Sequence, residues 1–549
     1  MQAVAQRRRA GMENRREEFL KTVCQIYMAA VLVVLPLYYI PGNGYYKLGD
    51  SKYYLYRNIS LICMGICLAV QIITVVRSCR MEQHRRMKQH CRMENSSSSG
   101  MYMRKTVGKM IRWCREHSVV TTVCLYGFCA LLSAICSPYG RTAWVGEREW
   151  YMGAVTICLM VGGFLMAADY SGQCIRLLYL GEAASVTVAL IGLLQKLGYD
   201  PLGLLKGYVV GDWEYTHMLS TLGNNNWLSG YYSVMLPLSL SLFCKATEEG
   251  RRAASILLGG GTVLVVVMLL LQGSDGGVMV ACVTLWICFW SSRKINGLWE
   301  PLLVLLSGVC VGMLLWGKGM QSLGTYEILL QDGIARKLAV WQGWLPLAVV
   351  CLLFCGIHYA LPEKKKRALQ IGALCGSLLL AAGVIIWYIL KLQGSDFAEW
   401  GNRRGMLWQM AWQGFCRGDL KQKLLGAGPD CFAGYLEQVL PGGTVLFDKG
   451  YFAGSIFTNA HNEWFTTLIN LGILGTAAYA AVFLTALRKY RGNSMAIMLL
   501  FTYGMHSLIS FQQVLNIPFF FLLLGVCEAG QRKEKQYNRD THEESIEVG

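Results

Sequence analysis

About fourteen apolar runs, each near the length of a bilayer-crossing helix, dominate this 549-residue chain. A hydrocarbon core about 30 Å thick takes about 17–25 apolar residues in helical form. The runs are Thr22–Ile40, Asn58–Val76, Val119–Cys136, Tyr151–Ala168, Leu177–Leu194, Trp227–Cys244, Ala254–Gln272, Gly276–Trp290, Leu298–Trp316, Trp344–Ala360, Ala368–Leu390, Trp464–Leu487, Ser494–Phe511 and a short last one from Ile517. Only 15% of the residues are charged and 54% are hydrophobic. Soluble domains carry roughly 25% charged residues. Lipid is therefore the expected solvent. The sequence predicts an all-α, polytopic integral membrane protein of about 12–14 transmembrane helices.

Basic residues set the expected orientation, because cytoplasmic loops keep Lys and Arg near the helix ends. Arg7, Arg8, Arg9, Arg15, Arg16 and Lys21 precede the first run. Further basic groups follow at every second loop: Arg77 to Lys109, Arg251-Arg252, Arg293-Lys294, Lys364 to Arg367, Arg488-Lys489 with Arg491, and Arg532-Lys533. Both termini are expected in the cytoplasm and Leu392–Ala460 outside. The first run resembles a signal peptide in its basic start. No small-residue cleavage site precedes Tyr38-Tyr39 and Pro41, so an uncleaved span is expected. The net charge of +17 follows from the same loops facing anionic headgroups, and no nucleic-acid partner is needed to explain it.

Three units are expected. Residues 1–117 hold two spans and a basic, Ser-rich cytoplasmic linker. Residues 118–530 form the main polytopic domain, with an extracytoplasmic loop at 392–460. Residues 531–549 are a charged, disordered cytoplasmic tail. Most of the 21 cysteines lie inside spans, where cysteine is a small hydrophobe. Cys416 and Cys431 share the long loop and are a candidate disulfide in an oxidising exterior. Arg404–Phe415 carries Leu407, Trp408, Ala411, Trp412 and Phe415 at helical spacing, as in a helix lying in the membrane interface.

Thr458-Asn-Ala-His461-Asn462-Glu463-Trp464 sets a histidine and a carboxylate at the mouth of a span. His461 is expected in the first helical turn, with Thr458 or Asn459 as cap. The positive end of the helix dipole disfavours imidazolium there, leaving a neutral base. Glu463 or Asn462 is placed to orient the other ring nitrogen. Arg404 lies one turn before Trp408 and suits phosphate binding, as does Arg403. A cation that only anchors the interfacial helix explains either equally well. Arg148 is a further candidate phosphate contact, or else an ion pair with Glu147 or Glu149. Asn224, Asn225, Asn226 and Asp275 fall at outer helix ends, where they suit sugar hydroxyls or simple turn and cap chemistry.

Five segments occur in the order seen in one family: Ser220-Thr-Leu-Gly223-Asn-Asn-Asn-Trp-Leu-Ser-Gly230-Tyr, Gln272-Gly-Ser274-Asp275-Gly276, Arg404-Gly-Met-Leu-Trp408-Gln-Met-Ala411, Leu425-Gly426-Ala-Gly428-Pro-Asp-Cys-Phe432, and Ala460-His461-Asn462-Glu463 followed by Leu471-Gly-Ile-Leu-Gly475. From about Cys136 to Leu487 the chain resembles the O-antigen ligase and O-antigen polymerase-like family of bacterial envelope glycosyltransferases. The resemblance implies a glycosyltransferase-C-like membrane fold in the bacterial plasma membrane. It implies transfer of a glycan from undecaprenyl diphosphate to an acceptor hydroxyl on a glycan or glycolipid, at the outer face, with membrane lipids around it. It implies no nucleotide sugar, no cofactor and no metal. The family's histidine falls on His461 and its arginine on Arg404, in preference to Arg403. Two departures stand out. The family's Gly-Asn-Pro-Asn is Gly-Asn-Asn-Asn here, and Ser-Arg-Gly of many relatives is Ser274-Asp275-Gly276. Arg148 then becomes the candidate second cation.

A transporter or flippase of envelope lipid-glycans is the competing expectation, and a non-catalytic scaffold is a third. Transporters bind near the midplane with charges inside spans. The polar residues picked out here cluster at helix ends instead.

Overall fold

The computed structural model describes residues 2–89, 112–172, 174–330, 334–391, 397, 400–440 and 457–547. Part of the predicted linker and the loop segment 441–456 lie outside the described residues. The chain is a bundle of long helices: α1 (Gln2–Ala29), α2 (Leu48–Gln89), α3 (Ser118–Cys136), α4 (Ala154–Tyr170), α5 (Ile175–Lys196), α6 (Asn225–Glu248), α7 (Arg252–Leu271), α8 (Asp275–Ser292), α9 (Trp299–Ser322), α10 (Trp344–Ala360), α11 (Glu363–Lys391), α12 (Trp400–Arg417), α13 (Glu463–Lys489), α14 (Ser494–Ser507) and α15 (Ile517–Glu547). Among the described residues, sheet is confined to a two-stranded pairing of Met218–Leu219 with Gly223–Asn224. Among the described residues, ten helices are long and apolar enough to cross a membrane, and α4 and α10 are shorter apolar helices. The protein is thus a helical, membrane-embedded, polytopic chain; the first predicted run, Thr22–Ile40, is completed beyond α1 by a π-helical turn at Ala30–Val34, and the last two runs match α14 and α15, which lie outside those twelve.

Side-chain caps start several of them. Asn224 accepts from Asn226 N, Ser274 from Gly276 N, Asn462 from Trp464 N and Phe465 N, and Asn493 from Ala496 N. Each satisfies a donor left free in the first turn. Burial then sorts the helices. In α6, 89% of the most apolar window is buried, against 17% in α2 and 11% in α11. Helix α6 is accordingly central, while α2 and α11 present apolar faces that lipid can cover. Close packing uses small residues, as in other membrane bundles. A Cβ at Gly525 of α15 would stand 2.6 Å from Phe164 O of α4.

Helix ends depart from the predicted spans at both termini of α2 (Leu48–Gln89 against Asn58–Val76) and at the ends of α14 and α15. Helix α14 stops at Ser507, short of the predicted Phe511. Helix α15 continues to Glu547 through the segment expected to be a disordered tail. Its start is tied down by charge. Glu528 accepts from Lys489 Nζ at 2.7 Å and from Arg532 Nε at 2.9 Å, and Arg532 also reaches Asp169 at 2.7 Å.

Candidate functional site

Helices α6, α8 and α13 begin at the same end of the bundle, where α14 ends. Their first turns, the end of α14 and helix α12 carry the candidate residues. Helix α12 is held by an apolar face. Leu407, Met410 and Ala411 are buried, and α12 packs with Phe432, Tyr435 and Leu436 of the short helix Phe432–Val439. Trp412 points the other way and is 53% exposed. Protein therefore covers one face of the helix expected to lie in the membrane interface. Cys416 and Cys431 are both free thiols, so the candidate disulfide is not formed.

His461 does not sit in the helix. Asn462 is the N-cap of α13, so His461 lies one residue before it, with φ +47. Thr458 and Asn459 do not cap. Asn459 Oδ1 instead accepts from His461 N at 3.0 Å, which holds the left-handed turn. The helix N-terminus still adjoins the ring. Phe511 packs edge-to-face against it, with centroids 5.0 Å apart. Nδ1 is buried with no partner among the described residues. Burial, reinforced by the Arg404 charge, pushes the His461 pKa down to about 3. The ring is therefore neutral at physiological pH, as the sequence predicts, and burial is the main reason.

Neither expected orienter reaches that ring nitrogen. Asn462 spends its side chain on the cap and on Leu508 O, to which Nδ2 donates at 2.8 Å. Glu463 is 1% exposed and accepts from Tyr479 and Tyr503 hydroxyls, each at 2.9 Å. It latches α13 to α14. It also lines a cavity of about 30 Å³ with Asp430, Asn459, Asn470 and Gln512, enough for a water molecule.

Arg404 is the arginine whose charge reaches the histidines. Its charge acts on His461 and on His506, and it is drawn in turn towards Asp275. Burial pulls its own pKa below the usual value, with Asp275 opposing. No side chain or carbonyl among the described residues bonds to it. Arg403 is the neighbour with left-handed backbone, φ +65.

The two amide and glycine motifs meet each other. Ser274 Oγ donates to Asn226 Oδ1 at 2.7 Å, and Asn224 caps α6. Asn225 Nδ2 lies beside Gly273, whose φ of +103 only glycine adopts readily. Asp275 is exposed at the start of α8. Arg148 pairs elsewhere. Its Nε donates to Asp50 Oδ2 on α2 at 3.3 Å, and its side chain is 63% exposed. The expected partners Glu147 and Glu149 do not hold it. Its loop nonetheless borders the site, since Trp150 packs on Phe511 at 4.6 Å.

Three residues come to notice only in the structure. His506 closes α14 and is 1% exposed, with Nδ1 unpartnered among the described residues. A lone ionisable residue inside an apolar run was the available signal. Gln272 is fully buried, with neither amide atom partnered among the described residues. Asp430 accepts from Glu147 N at 2.7 Å and Met152 N at 2.9 Å. Among the described residues, no group of three or more His, Cys, Asp or Glu side chains is arranged to hold a metal ion. No family model matches the chain, and no curated protein matches it.

Proposed function

We propose that this protein transfers a glycan from a polyprenyl-diphosphate donor to an acceptor hydroxyl, at the outer face of a bacterial plasma membrane. The observation that carries the reading is one pairing. Among the described residues, a guanidinium without a protein partner acts by its charge on an imidazole that burial holds neutral and whose Nδ1 is unpartnered. The first suits an anion and the second suits a proton acceptor. In this reading His461 takes the acceptor's hydroxyl proton as the oxygen bonds to the anomeric carbon. The bond from that carbon to the phosphate oxygen breaks, and the diphosphate leaves with the electron pair. Arg404 offsets the charge that grows there. A single displacement inverts the anomeric centre. Asn224, Asn225 and Asn226 border the place for the sugar, and the apolar faces of the bundle suit the polyprenyl tail. Both termini are cytoplasmic and α12 is outside, following the basic loops.

A second reading, transport of the lipid-linked glycan, is favoured by one feature. Helix α13 is broken at Gly472, which has φ +65 and ψ −168, and discontinuous helices are common in transporters. One assay separates the two. Purified protein is given a polyprenyl-diphosphate glycan and candidate acceptors, and released polyprenyl diphosphate is measured. His461→Ala is expected to lower the rate by about 100-fold or more, and Arg404→Ala by about 100- to 1000-fold. Full turnover in either variant removes that residue's role. Absence of release, with lipid-glycan translocated in vesicles, establishes transport instead.

A further inference from the structure

We infer that His506 completes the diphosphate subsite, its imidazole N–H donating to a phosphate oxygen beside Arg404. This rests on the glycan-transfer reading and adds the donor group that the first turn of α8 lacks, since Asp275 there carries the wrong charge for a phosphate contact. Four observations bring His506 to that place. The charge of Arg404 acts on both His506 and His461. His506 is 1% exposed and its Nδ1 has no partner among the described residues. Gly230 of α6 lies against both Asn516 and the His506 ring: a Cβ there would stand 2.9 Å from Asn516 Nδ2 and 3.4 Å from His506 Cε1. Asn516 fixes the turn that follows α14, donating to Phe511 O at 2.8 Å while its Oδ1 accepts from Gln513 N at 2.8 Å. Phe511 is the ring packed on His461. One turn therefore positions both histidines.

The chemistry is specific. A neutral imidazole offers one N–H donor without adding charge. A buried donor with no protein acceptor is unfavourable until a ligand supplies one. A diphosphate brings several acceptor oxygens and needs both a cation and neutral donors to hold it in a site with few waters.

The test uses the full chain in lipid nanodiscs and inorganic pyrophosphate as the probe, with binding read by calorimetry. His506→Asn keeps an N–H near the Nδ1 position, whereas His506→Leu has similar shape and no donor. Wild type is expected to bind in a way that Arg404→Ala abolishes. His506→Leu should weaken binding by about tenfold or more, and His506→Asn should stay within about threefold of wild type. If His506→Leu binds as wild type while Arg404→Ala does not, the inference about His506 is wrong and the site reading stands. If Asn and Leu weaken binding equally, the residue supplies shape and not a hydrogen bond, and the inference is again overturned. If wild type and Arg404→Ala are alike in failing to bind, the glycan-transfer reading itself falls.

Discussion

A left-handed backbone at a residue with a side chain costs about 1–3 kcal/mol, and such strain persists only where its surroundings enforce it. Arg403, Asp430 and His461 adopt it with φ of +65, +59 and +47. At Asp430 the enforcing contacts are visible. Its carboxyl accepts from two backbone N–H groups across the interface with the loop before α4, at 2.7 and 2.9 Å. Burial pushes its pKa up to about 7, and the two N–H donors oppose this only in part. The folded protein therefore binds a proton more tightly than the unfolded chain, whose value is near 3.9. The resulting stability is fully present below about pH 4 and is lost as pH rises through about 7. Melting in detergent should show it: wild type loses stability between those limits, and Asp430→Asn, which keeps an acceptor oxygen without the charge, is flatter. Asp430→Ala leaves both donors unpaired and should lose roughly 2–4 kcal/mol at any pH. Identical pH profiles for wild type and Asp430→Asn would contradict the assignment.

Among the elements, α13 is unusual because it is one apolar run and two helical pieces. At Gly472 the chain leaves helical geometry. The carbonyls freed upstream are not left bare. Ile469 O accepts from Ala427 N at 2.9 Å, and Asn470 O accepts from Gly428 N and Ser133 Oγ, each at 2.9 Å. Re-satisfying these groups is what allows a break at such a position. A Cβ at Gly472 would stand 2.5 Å from Leu424 C and 2.6 Å from Gly426 N. Gly472→Ala meets both that clash and the positive φ. It should destabilise the protein by at least about 2 kcal/mol, read as a lowered melting temperature and a shrunken yield of monodisperse protein. A wild-type melt would mean that the loop 426–428 does not thread against α13. The sequence marks Leu471-Gly-Ile-Leu-Gly475 as a landmark, yet Trp464–Leu487 reads as a continuous span. Hydropathy is blind to the break, because both pieces are apolar and the diverted hydrogen bonds come from residues over forty positions earlier. For the same reason His461 was expected inside the helix. Which asparagine caps α13 is decided by contacts with the turn after α14, as at Leu508.

For the whole molecule, the apolar runs are legible because the bilayer fixes helix length, and that constraint acts locally on the sequence. The site is legible only where two residues already sit in recognisable segments, as Arg404 and His461 do. Pairings across distant helices are not. Arg148 meets Asp50 on α2 instead of its acidic neighbours, and His506 reaches the vicinity of Arg404 only through the packing of α14 on α6 and α8. Orientation is the property on which the proposed chemistry most depends, since a polyprenyl-diphosphate glycan is used at one face. The 29-residue helix α11 rises about 44 Å at 1.5 Å per residue and separates the Lys364–Arg367 cluster from α12. Lys365 and Lys421 are both exposed, at the start of α11 and in the short helix Leu420–Leu425. Reporters fused after each of them should respond oppositely. A phosphatase that matures only outside the cytoplasm should be active after Lys421 and silent after Lys365, and a fluorescent protein that folds only in the cytoplasm should do the reverse. An inverted pair of signals would put Arg404 and His461 on the cytoplasmic side and end the proposal for an outward-facing transfer. The same signal at both sites would mean that α11 does not cross the membrane.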